Sequence, residues 1–186
     1  MRLSALVIAA AATVCATCAS AEDFDTRGIM SFGPSVASAN PIPRQIVSFQ
    51  SEYAPGTIVV NTAERRLYLV LPNGQALKYG IGVGRDGFRW GGVHRITAKK
   101  EWPDWTPPAQ MLRRRPDLPR HMKGGIDNPL GARAMYLGST LYRIHGSNEP
   151  ETIGQAVSSG CFRMTNDDVK DLYDRVSVGA TVVVKN

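Results

Sequence analysis

Ile144-His145-Gly146-Ser147-Asn148 and, one short spacer later, Ser158-Ser159-Gly160-Cys161-Phe162-Arg163-Met164 are the stretches on which the reading of this chain turns. The sequence holds three cysteines; Cys15 and Cys18 stand in an N-terminal segment that reads as a secretory signal. After processing, Cys161 is the one thiol left. Cysteines in an oxidising compartment normally pair. A thiol kept unpaired there is either a small buried hydrophobe or reserved for chemistry. An imidazole on a neighbouring element is the partner that chemistry needs. His145 can take the thiol proton and hold a thiolate–imidazolium ion pair.

The export signal fixes the compartment. Arg2 opens it, Leu3 to Ala12 is an apolar run, and Ala19-Ser20-Ala21 fits a small-x-small cleavage site. The run is too short for a membrane-spanning helix. Val14 and Thr17 precede the two signal cysteines, which argues against a lipid-anchored cysteine. The expected product is an exported protein with no membrane anchor, periplasmic in a diderm host.

The remaining 165 or so residues suit one domain plus an extension. The full chain carries a net charge of +6, which falls to +5 once Arg2 leaves with the signal. Mild basicity suits an anionic partner such as a wall polymer and equally suits ordinary solubility. No basic stretch with interleaved aromatics points to nucleic acid. Arg113-Arg114-Arg115 reads as a solvated face or a binding patch. No His/Cys/Asp spacing suggests zinc, so neither a metal nor another cofactor is expected.

Residues 22–55 are rich in Ser, Ala, Pro and Gly and read as a linker or an arm on the domain surface. The domain proper is expected over 56–186, mostly β. Thr57 to Val60 is a short strand. Leu67, Leu69 and Leu71 alternate with Tyr68 and Val70, Pro72-Asn73-Gly74 turns the chain, and Gln75 to Val83 returns as a hairpin. Arg95 to Lys99, Ala134 to Leu137, Leu141 to Ile144 and Val182 to Val184 complete the strands. Asn166 to Val176 reads as a helix with Asn166 as N-cap, acidic residues in its first turn, and Val169, Leu172, Tyr173 and Val176 on one face. Trp102 to Asn128 is long and weakly periodic, either a lid or binding wall or a structural excursion packed on the core.

Around the thiol, Gly160 permits a tight turn, and the amides of Gly160 and Cys161 are candidates for an oxyanion site. Arg163 either binds a substrate carboxylate or braces the loop. Ser158 either bonds near the thiol or caps the turn. Gly146 has no side chain, so a local orienting group for His145 is a backbone carbonyl.

His145-Gly146, a spacer, then Ser158-x-Gly160-Cys161-x-Arg163 resembles the active-site signature of the L,D-transpeptidases, the YkuD-type catalytic domain. Asn128-Pro129-Leu130-Gly131 and the Thr57 to Gly84 hairpin are also similar to segments of that family. The resemblance implies a β-sandwich-like fold with mixed sheets and one or two short helices. It further implies Cys161 as nucleophile, His145 as base and the Gly146 carbonyl as third member. The implied substrates are peptidoglycan stem peptides, with a second stem or an envelope protein as acyl acceptor. Two alternatives remain. A sortase-like transpeptidase also orders His, Cys and Arg, but spaces them far apart. A non-catalytic wall-binding domain of the same fold would not need the intact His145, Gly160, Cys161 and Arg163 set.

Overall fold

A hairpin with a left-handed tip starts the domain. In the computed structural model, which describes residues 40–186, β3 (Arg66–Leu71) and β4 (Gln75–Gly80) pair antiparallel across a turn. Asn73 and Gly74 both have positive φ there (61° and 67°), the conformation that a tight hairpin twist demands. The signal and the first part of the arm, residues 1–39, lie outside the described residues.

β2 (Ile58–Asn61) pairs antiparallel with β3, and β11 (Thr181–Lys185), the last strand of the chain, lies parallel to β2. On its other side β11 pairs with β6 (Gly92–Glu101), followed by β7 (Arg133–Leu137), β8 (Arg143–His145) and β10 (Phe162–Arg163). With β1 (Gln45–Ser48) on the far side of β4, this makes one mixed nine-stranded sheet. The sheet curls until its two halves meet. Gly82, just past β4, exchanges both backbone hydrogen bonds with Arg163 of β10 at 2.9 Å each. A second, two-stranded sheet of β5 (Val83–Gly84) and β9 (Ala156–Ser158) lies beside that closure. A 3-10 turn, Pro150–Thr152, sits between β8 and β9.

The curl encloses one core. Leu67, Tyr79 and Ile81 from the hairpin half share a buried cluster with Ile144, Phe162 and Met164 from the other half. Val169 and Leu172 of α2 (Asn166–Arg175) close it. The expected mostly-β fold with mixed sheets and two short helices is therefore the observed one; the other helix is α1 (Ala109–Arg114).

Two local features differ from the sequence reading. The helix cap is Thr165, whose Oγ1 accepts the Asp168 amide at 3.2 Å. Asn166 sits one position inside and turns its Oδ1 to the Ala132 amide at 2.9 Å. Both residue types cap well, and a competing tertiary donor took one of them. The arm also joins the sheet before residue 56. Asn40 and Arg44 bind the buried Asp168 carboxylate at 2.6 and 3.1 Å, and β1 follows as an edge strand. An edge strand with only one buried neighbour needs little apolar alternation; Ile46 is exposed.

Candidate active site

Parallel pairing of β8 with β10 brings the two motif halves together. Ile144 lies opposite Phe162 and His145 opposite Arg163, so Cys161, just before β10, comes level with Arg143. Arg143 and His145 are two apart on one strand and share a face. Both line a cleft of about 950 Å³ whose floor includes Cys161, Ser158 and Arg163.

His145 is buried, and its Nδ1 lies 2.6 Å from the Gly146 carbonyl oxygen. A carbonyl only accepts, so Nδ1 carries the proton and Nε2 keeps the free lone pair. Gly146 is itself enclosed: its amide donates to Arg133 O at 3.0 Å, and a Cβ there would overlap Asn166 Oδ1. Burial, then the charges of Arg163 and Arg143, push the imidazole down to about 3. The ring is neutral at neutral pH.

Cys161 is unpaired and half-buried, with Sγ 3.9 Å from Leu141 O. Burial pushes the thiol up, opposed by the neighbouring Arg143 and Arg163. Among the described residues no hydrogen bond joins Sγ to the imidazole. The described residues show no resting ion pair between the two groups. Removing water from both groups favours thiol and neutral ring over thiolate and imidazolium. Contacts between a nucleophile and its base commonly tighten only with substrate bound.

Gly160 has φ +110° and donates its amide to Ser158 Oγ at 3.1 Å. That amide is committed, so of the two amides expected to face an oxyanion only the Cys161 N–H is without a partner among the described residues. Ser158 also donates its hydroxyl to Cys161 O at 2.6 Å, which makes it the cap of the 158–161 turn. Arg163 pairs with Glu149 at 2.7 Å and ties the β10 end to the 3-10 turn. Bracing is its visible contact here.

The long segment between β6 and β7 forms the opposite wall. Trp105, Met111 and Arg114 line the cleft, and Trp105 and Met122 exchange backbone bonds at 2.8 Å. The segment thus lines the cleft, the position that the binding-wall reading requires. Buried Asn128 anchors it, donating to Pro103 O at 3.1 Å and Lys123 O at 3.0 Å while accepting from the Leu130 amide at 2.9 Å. Arg85 and Arg114 both sit over the Phe88 ring at the cleft rim, at 4.5 and 5.0 Å.

Sequence reading missed Arg143, Glu149 and Trp90, and it quoted Asn128 without giving it a role. For Arg143 a signal existed, since alternation places it on the His145 face. Glu149 and Trp90 reach the site through long-range contacts that no local pattern encodes.

A family model described as the L,D-transpeptidase catalytic domain, YkuD, matches residues 55–184. Over 166 residues the chain is 39% identical to the probable L,D-transpeptidase ErfK/SrfK of Escherichia coli (strain K12), covering 82% of this chain and 51% of that protein. It spans about half the length of the curated relatives it first matches. A crystal structure from Brucella melitensis, titled a probable carnitine operon oxidoreductase caia, is 48% identical, with TM-score 0.53, over 80% of this chain and 97% of that one. An L,D-transpeptidase from Mycobacterium smegmatis has TM-score 0.58 at 19% identity, over 72% of this chain and 59% of that one, a likeness of fold.

Proposed function

The chain belongs to the L,D-transpeptidase family through its YkuD-type catalytic domain, and from that premise we propose that it is an exported cysteine transpeptidase acting on the tetrapeptide stems of peptidoglycan. The observation that carries this reading is the pairing of β8 with β10, which sets a carbonyl-oriented neutral imidazole and an unpaired thiol in one cleft.

Cys161 Sγ attacks the carbonyl at the L-centre of the third stem residue, and its proton passes to His145 Nε2. The Gly146 carbonyl steadies the imidazolium that forms. Charge collects on the carbonyl oxygen, where the Cys161 N–H is the available backbone donor and Arg143 the nearby cation. The carbon–nitrogen bond to D-alanine then breaks, and His145 returns the proton to the departing amine. A thioester on Cys161 remains. An acceptor amine attacks it, releases the thiol and completes the transfer.

The acceptor is either the side-chain amine of a second stem, giving a 3→3 cross-link, or an amine on an envelope protein, anchoring that protein to the wall. The wall segment over residues 102–128 is where this choice is made, because it lines the same cleft as the thiol. Export rests on the signal-like residues 1–21; no helix among the described residues is long and apolar enough to cross a membrane. The oxidoreductase title belongs to the Brucella protein, whereas the groups gathered in this cleft suit acyl transfer to a thiol.

Mass spectrometry of the products formed from purified tetrapeptide muropeptides tests the proposal. The wild type releases D-alanine and forms a cross-linked or exchanged product, and Cys161→Ala forms neither. Equal turnover by the alanine variant overturns the assignment.

A further inference from the structure

Trp90 lies outside the motif and outside the cleft lining, yet it holds the backbone of the nucleophile loop. Its indole Nε1–H donates to Gly160 O at 2.7 Å. The ring is itself fixed on three sides. It stacks on Tyr142 at 4.4 Å and 7°, leans on Phe162 at 5.2 Å and 32°, and meets the His94 ring edge-on at 4.9 Å and 85°.

The chain has no cis peptide among the described residues, so the Gly160–Cys161 link is trans. In a trans peptide the carbonyl of one residue and the N–H of the next lie in one rigid plane and point in opposite directions within it. Whatever grips the Gly160 carbonyl therefore sets the direction of the Cys161 N–H. The grip matters because glycine leaves that plane free to swing. A side chain at this position is excluded, since φ is +110° and a Cβ would overlap the Tyr142 ring. The other polar groups of the turn are committed, with the Gly160 amide and the Cys161 carbonyl both on Ser158 Oγ. Among the described residues, the Cys161 N–H has no partner, and in this turn it shares that freedom only with the Ser159 N–H.

We propose that Trp90 is a positioning residue for acyl transfer: by holding the Gly160 carbonyl, its indole locks the Gly160–Cys161 peptide plane and aims the Cys161 N–H at the oxyanion of the tetrahedral intermediate. The inference rests on the acyl-transfer reading above and adds the element that orients its backbone donor. Trp90 touches no substrate; it acts through the peptide plane.

The test separates two reactions of one thiol. Iodoacetamide alkylates Sγ by displacement at a saturated carbon, with no oxyanion. Imipenem acylates it. Sγ bonds to the lactam carbonyl carbon, the oxygen takes the charge, the ring carbon–nitrogen bond breaks, and the nitrogen takes the proton. Trp90→Phe keeps a stacking ring and removes the N–H. Its alkylation rate is expected to stay within about twofold of wild type. Its acylation is expected to slow roughly ten- to a hundredfold, less than the loss on deleting an oxyanion donor outright. Acylation at the wild-type rate overturns the proposal, as does an equal fall in both rates, which places Trp90 at the thiol or the general fold. In unaltered protein, the Trp90 indole proton is expected to exchange far more slowly than that of the exposed Trp102; equal exchange also overturns it. A wild type that is alkylated but acylated by neither imipenem nor a p-nitrophenyl ester overturns the acyl-transfer reading beneath, and this inference falls with it.

Discussion

Replacing His145 with glutamine isolates the electrostatic cost of the buried base. The ring is held at about 3 against an ordinary 6.5, with burial the largest cause. The unfolded chain therefore takes a proton on this residue between pH 6.5 and 3 that the folded chain refuses. Stability from keeping the ring neutral is complete above pH 6.5 and is lost as pH falls through that window. Linkage puts the loss at about 2 kcal/mol by pH 5 and about 3 kcal/mol by pH 4. His145→Gln retains a side-chain donor for the Gly146 carbonyl and has nothing to titrate. Urea unfolding of both proteins at pH 7, 5 and 4, followed by tryptophan fluorescence, gives the difference directly. Every other titrating group is common to the two, so the difference between their stability curves belongs to the ring. A difference that stays flat from pH 7 to pH 4 would mean that folded His145 carries a proton freely, and the neutral resting pair would be wrong.

Three further outcomes follow from the same geometry. Burial raises the Cys161 thiol, so iodoacetamide labelling against pH is expected to reach its midpoint above the ordinary thiol value of about 8.5; a midpoint near 6 would restore the ion pair. Asn128→Ala strands two wall carbonyls and the Leu130 amide, and is expected to cost about 3 kcal/mol in urea unfolding. A change below about 0.5 kcal/mol would show that Asn128 does not anchor the wall. Gly146→Ala pushes on Asn166 Oδ1 and displaces the carbonyl that orients His145. Turnover is expected to fall about a hundredfold with a folded circular dichroism spectrum, and full activity would remove Gly146 from the catalytic set.

Much of the fold was legible where one short-range rule decided the structure. The β3–β4 hairpin follows from leucine alternation and Asn73-Gly74. The face of α2 follows from Val169, Leu172 and Val176. Illegible were the places where distant segments compete for one partner. Asn166 loses the cap to Thr165 because Ala132 needs an acceptor. β11 enters between β2 and β6, a pairing set by closure of the sheet and not by its own three valines. β1 is an exposed edge with no apolar face to announce it.

The site divides in the same way. That His145, Cys161 and the Gly146 carbonyl gather in one cleft was legible, because the proposed nucleophile, base and local orienting group leave a compact trace in sequence. Their protonation states were not, because burial is a property of the assembled cleft. The sequence reading allowed an ion pair, whereas burial lowers the imidazole and raises the thiol, which favours the neutral pair. Gly160 read as an oxyanion amide until Ser158 was found on it. Trp90, seventy residues from the carbonyl it holds, had no local signature at all.

The central claim is a covalent acyl-enzyme on Cys161. Acid-quenched intact-protein mass spectrometry after mixing with a disaccharide tetrapeptide, followed by peptide mapping, reads it directly. The expected result is a mass gain equal to the muropeptide less one D-alanine, on the peptide that contains Cys161 and absent from Cys161→Ala. An adduct on another residue, or free D-alanine released with no adduct at any quench time and undiminished in Cys161→Ala, would contradict the account.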